Sequence, residues 1–96
     1  MHAVVRNYSG KGAKELADLL KKRKGDVDRV MRGVKGLVSY TLVRTADGCY
    51  SVSVCDDKAG TEESVQKARD WIKANASDTG VAAPHVSEGS VMVHLK

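Results

Sequence analysis

The side chains able to do chemistry in this chain are few and scattered. Asn7 stands where a first strand should end; it could hydrogen-bond a ligand or a substrate enolate, or close the backbone of the next turn. His85 and His94 lie around a last strand, and an imidazole titrates near neutrality and can act as a base, yet neither has a motif partner. Asn7 and His94 are the candidate catalytic residues. Tyr40, Tyr50, Trp71 and Arg44 are the pocket candidates. The two tyrosines can lend hydroxyls from a central hairpin, or simply pack there. Trp71 would press a large ring onto the sheet from a helix, mainly as core. Arg44 and Arg6 can each hold an anion in a planar donor fork, or finish an exposed strand and blunt its edge.

The two cysteines, Cys49 and Cys55, have a five-residue spacer that matches no zinc or redox signature, so they read as reduced, inert thiols. No His, Cys or carboxylate spacing suits a metal and no cofactor-binding motif occurs, so neither metal nor cofactor is expected.

These residues have little chain to position them. A length of 96 residues suits one domain spanning 1–96, because two cores would each be too small to stand alone. An apolar fraction of 42% and a charged fraction of 29% are those of a folded protein. With no Phe and only Tyr8, Tyr40, Tyr50 and Trp71 as aromatics, the core must be mainly Val, Leu and Ala. The net charge of +4 is concentrated in one run, Lys21-Lys22-Arg23-Lys24, which reads as a solvated helix end. No segment has a signal-peptide core or the length of a membrane span, and a cytoplasmic location is the default expectation.

Periodicity supplies the elements. His2 to Tyr8 reads as a strand ending at Ser9-Gly10. Ala13, Leu16, Ala17 and Leu20 form a helical stripe that continues or restarts through Val27, Val30, Met31 and Val34, with a bend expected at Gly25. Leu37 to Thr45 is a second strand, Ala46-Asp47-Gly48 a tight turn, and Cys49 to Asp56 a third strand. Tyr50, Val52 and Val54 share one face of that strand; Cys49, Ser51, Ser53 and Cys55 make the other, small and polar. Thr61 and Ser64 with Glu62-Glu63 open a helix whose stripe is Val65, Ala68, Trp71 and Ile72. Val86 to Leu95 alternates as a last strand.

The order β-α-β-β-α-β has few compact solutions, and right-handed crossovers place a four-stranded antiparallel sheet beneath two helices, a ferredoxin-like α+β fold. Its other face lies open, and two copies packed through it would form an α+β barrel.

Val34-Lys35-Gly36-Leu37-Val38-Ser39-Tyr40-Thr41-Leu42-Val43-Arg44 resembles the helix-to-strand passage of the dimeric α+β barrel superfamily, which contains the antibiotic-biosynthesis-type monooxygenases. Asp47-Gly48, Glu63-Ser64, Ala68 with Trp71, and Glu88-Gly89 resemble an uncharacterised bacterial branch of it. The resemblance implies a homodimer through the open sheet face and a cofactor-independent monooxygenase-like reaction on a small aromatic or polyketide-like molecule. The alternative is a non-catalytic dimer that binds a small apolar ligand or a partner. The haem-degrading branch pairs an Asn on the first strand with a Trp ending the third and a His on the second helix; Asn7 matches, and the other two positions do not. An RNA-binding module of the same order would need paired aromatics on its open face, where the third strand was expected to offer Ser51 and Ser53.

Overall fold

The computed structural model describes residues 1–96. Its elements are β1 (His2–Tyr8), α1 (Ala13–Lys22), α2 (Lys24–Arg32), β2 (Leu37–Thr45), β3 (Gly48–Cys55), α3 (Lys58–Asn75), a 3-10 turn at Ser77–Thr79, and β4 (His85–Ser90). The strands form one antiparallel sheet in the order β2-β3-β1-β4, the ferredoxin-like arrangement expected from the element order. Both edges of the sheet, β2 and β4, are free of a neighbouring strand.

Three helical segments cover the sheet rather than two. α1 buries Ala13, Leu16, Ala17 and Leu20, the predicted stripe, and α2 buries Met31. The break between them falls at Arg23 and leaves Gly25 inside α2. The Arg23 side chain explains the position: its guanidinium bonds Asp26, donates to Asn75 Oδ1 at 3.2 Å, and lies 5.3 Å from the centre of the Trp71 ring. One cation thus ties the α1–α2 corner to the far end of α3.

α3 begins at Lys58, three residues before the predicted start at Thr61. Asp57 caps it, accepting a hydrogen bond from the Gly60 amide at 3.0 Å. Gly60, which reads locally as a helix breaker, is required there because a Cβ would sit 2.8 Å from Cys55 Cβ and 2.9 Å from the Lys35 carbonyl. β4 is shorter than the predicted Val86–Leu95. Its last pair is Ser90 with His2, the first residue of β1, and after one further bond from Val91 N to Met1 O the segment has no strand to pair with. Met92, Val93 and Leu95 are left exposed.

Strand alternation with this register assigns the faces. Val4, Arg6 and Tyr8 of β1, Cys49, Ser51, Ser53 and Cys55 of β3, and Tyr40, Leu42 and Arg44 of β2 lie on the helix side. Val5, Asn7, Tyr50, Val52, Val54, Thr41 and Val43 lie on the open side. The small polar face of β3 is therefore the covered one, and Ser51 and Ser53 are buried with hydroxyls that find no partner. This reverses the premise used above against RNA binding. Tyr50 is the one Tyr or Trp on the open face, and no Lys or Arg of the four strands points there.

Candidate functional site

The space between sheet and helices is incompletely filled. A cavity of about 30 Å³, enough for a water molecule, lies among Arg6, Tyr8, Tyr40, Ser51, Met31 and Trp71. Beside it, a cleft of about 380 Å³ opens between the end of α3 and the Val81–Pro84 loop, and falls in the size range of small-molecule sites. Arg6, Tyr8 and Ile72 line both spaces and join them. The cleft walls are mostly apolar (Val65, Ile72, Val81, Pro84, Val86), and its polar groups include Arg69 and Lys73 of α3.

Arg6 is the unusual member. It is 3% exposed, on the β1 face between Val4 and Tyr8, and its guanidinium stays ionised in any protein environment. Nη1 donates to Tyr8 Oη at 3.3 Å, while Nε is buried without a hydrogen-bond partner. No Asp or Glu lines either space, so the cation has no counter-ion. Burial pushes the hydroxyls of Tyr8 and Tyr40 upward, and the nearby Arg6 opposes this only in part. Both therefore remain O–H donors at neutral pH. The cleft, with the fixed positive charge of Arg6 and the Tyr8 hydroxyl on its wall, suits a flat molecule carrying a negative oxygen, and Tyr40, Ser51 and Trp71 close the water-sized cavity behind them.

The residues singled out from the sequence divide between two faces. Tyr40 and Trp71 line the inner cavity; Trp71 is partly buried there and packs on the core around Leu16 and Leu20. Asn7 lies on the opposite side of the sheet, where its cross-strand neighbours are Tyr50 on β3 and His85 on β4. That row of three polar side chains faces the open side. His94 follows β4 in the unpaired tail, remote in register from Asn7. Arg44 sits on edge strand β2, paired with Asp18 of α1 at 2.9 Å and outside the cavity. Cys49 and Cys55 are buried free thiols whose pKa is raised by burial, as inert thiols should be.

Arg6 and Tyr8 were legible only in part. The sequence around Arg6 suits an anion fork and a strand end equally. The signal lay in β1 itself: Val4, Arg6 and Tyr8 alternate on one face, so burying the first and last buries the arginine.

No family model matches the chain, and no curated protein matches its sequence. Solved structures share its fold. A monooxygenase from the gene ActVA-Orf6 of Streptomyces coelicolor, in complex with the ligand nanaomycin D, is 17% identical, with a TM-score of 0.65 over 99% of this chain and 89% of its own. SnoaB, a cofactor-independent oxygenase from Streptomyces nogalater, is 12% identical, with a TM-score of 0.62 over 98% of this chain and 95% of its own. A dimeric ferredoxin-like protein from an uncultured marine organism is 12% identical, with a TM-score of 0.64 over 99% and 95%. Identities at this level establish a common architecture.

Proposed function

We propose that the protein is a small-molecule enzyme of the cofactor-independent monooxygenase type, working on a flat, mostly apolar ring system held in the cleft beside Arg6. The observation that carries this reading is the buried, uncompensated Arg6 at the junction of an inner cavity and a ligand-sized apolar cleft. The oxygenases among its structural neighbours support the reaction class.

The chemistry is the conversion of a ring CH2 to a carbonyl. Two C–H bonds and the O–O bond break, one oxygen atom becomes the carbonyl, and the other leaves as water with the two hydrogens. The substrate supplies all four electrons that dioxygen accepts. The reactive species is the electron-rich enolate form of the ring, and Arg6 with the Tyr8 hydroxyl stabilises its charge at fixed donors on the cleft wall.

The same reading includes self-association through the open sheet face. That face carries Val5, Val43, Val52 and Val54 and no cation, and the alternating tail Val91, Val93 and Leu95 has no strand to pair with in its own chain. A second copy covers both.

Incubation with an anthrone, at a mildly alkaline pH at which part of it is already the enolate, under labelled dioxygen tests the activity. The expected result is dioxygen consumption with one labelled atom in the quinone product, reduced by about a hundredfold or more in Tyr8→Phe, on the scale of removing one preorganised donor. Binding of the anthrone in the cleft with no dioxygen consumption would establish the non-catalytic alternative.

A further inference from the structure

Neither the inner cavity nor the cleft is lined by a histidine, aspartate or glutamate. The site therefore has no general base to create a negative charge on its ligand. It has instead a buried positive charge already waiting for one. A guanidinium held out of water without a counter-ion is costly, and removing the partner of such a charge is among the more damaging changes a core can suffer. The residues that share the inner cavity with Arg6 are neutral, Tyr8, Tyr40, Ser51 and Trp71 among them, and the one carboxylate of the strands on that face, Glu88 of β4, stands opposite Val4 and pairs with Lys58 at 3.9 Å. A second copy packed on the open face cannot supply a carboxylate, because Arg6 points to the other side of the sheet.

The approach to Arg6 has the same sign. Arg69 and Lys73, one turn apart on α3, stand on the wall of the cleft, and no acidic residue lines it to neutralise them. Cations at the mouth and at the base of an apolar channel raise the local concentration of anions and draw them inward.

We infer that the ligand of this site enters already ionised: an aromatic ring system bearing a carboxylate or an acidic enol oxygen, with Arg6 as its counter-ion and Arg69 and Lys73 as guides. This rests on the cleft being the ligand site, as proposed above. Arg6 and Tyr8, which line both the cleft and the inner cavity, are the groups placed to meet the anion, and Tyr40 and Ser51 line the water-sized cavity behind them. The consequence is selectivity by charge: the protein takes the ionised form of its ligand from solution and leaves the neutral form.

Calorimetric titration of the whole protein with two matched pairs tests this. One pair is naphthoate and naphthamide; the other is hydroxynaphthoquinone, an ionised enol at neutral pH, and its methyl ether. The ionised member of at least one pair should bind about tenfold or more tightly than its neutral partner, as one charge-assisted contact requires. The pair that shows the preference identifies the oxygen group. In Arg6→Met the preference should vanish. In the surface double variant Arg69→Gln with Lys73→Gln it should persist in reduced form and lose most of its salt dependence. Neutral members binding as well as ionised ones would overturn the inference and leave the cleft as a ligand site. No binding by any of the four would overturn both.

Discussion

Replacing Arg6 by Met together with Tyr8 by Phe should make the unliganded protein more stable. In the native chain the Arg6 Nε is buried without a partner, and a buried donor left unsatisfied costs about 1–3 kcal/mol. The one hydrogen bond that Arg6 makes, 3.3 Å to Tyr8 Oη, is at the long end of the range, and both of its ends are removed together, so no new orphan is made. Methionine is unbranched and fills the same channel along the strand. The net gain expected is about 1–2 kcal/mol, which corresponds to a rise in melting temperature of roughly 4–8 °C per kcal/mol for a chain of this size. Urea unfolding of ligand-free protein, followed by Trp71 fluorescence, measures it. The single change Arg6→Met should gain less, because it strands the Tyr8 hydroxyl. Naphthoate at about 100 times its dissociation constant should stabilise the native protein by about 2.7 kcal/mol, and at the same concentration the double variant by no more than about 1.4 kcal/mol, the value for an affinity weakened tenfold. A loss of more than about 1 kcal/mol in the ligand-free double variant would refute the reasoning: it would mean that Arg6 supports the core and is not held there for a ligand.

Val52→Lys, at the centre of the open face opposite Val5 and Thr41, should weaken self-association by about a hundredfold or more by burying two unpaired charges, and sedimentation equilibrium should then show a monomer with unchanged circular dichroism. Gly48→Ala should cost about 3 kcal/mol in urea unfolding, since its Cβ would lie 2.1 Å from the Tyr8 carbonyl oxygen and 2.8 Å from Ala13 Cβ; Gly10→Ala, with nothing within 4 Å and only its φ of +79 to strain, should cost about 1 kcal/mol. Burial raises the hydroxyls of Tyr8 and Tyr40 and the thiols of Cys49 and Cys55 above their ordinary ranges, so the folded protein holds these protons when the unfolded chain has released them. Stability from these groups is complete below about pH 8 and falls as pH rises through 9 and beyond, which an alkaline series of urea midpoints should show.

Much of the architecture followed from local pattern. The bounds of β1 and β2 and the stripe of α1 were predicted as observed, because apolar alternation and the 3.6-residue stripe each demand one kind of element. The failures are local signals overruled by distant partners. Gly25 is a weaker break than Arg23, whose hold on Asn75 and Trp71 spans most of the chain. Val86–Leu95 alternates throughout, but pairing stops where β1 begins.

The candidate site was the least legible part. Tyr40 and Trp71 do meet in one cavity, while Asn7, Tyr50 and His85 form a row on the other face.

By itself, the sequence determined the elements, their order, and hence the ferredoxin-like sheet, because hydrophobic period and turn chemistry are short-range properties. It also divided each strand into two sets of side chains. Only the tertiary structure decided which set goes under the helices, since a period of two is symmetric between faces. Val4 and Tyr8 carried β1 with its arginine inward, and the small side chains of Ser51 and Ser53 allowed the helices to close over it. Arg6 thereby became a buried charge at the base of a cleft, a property that no window of the sequence around it contains.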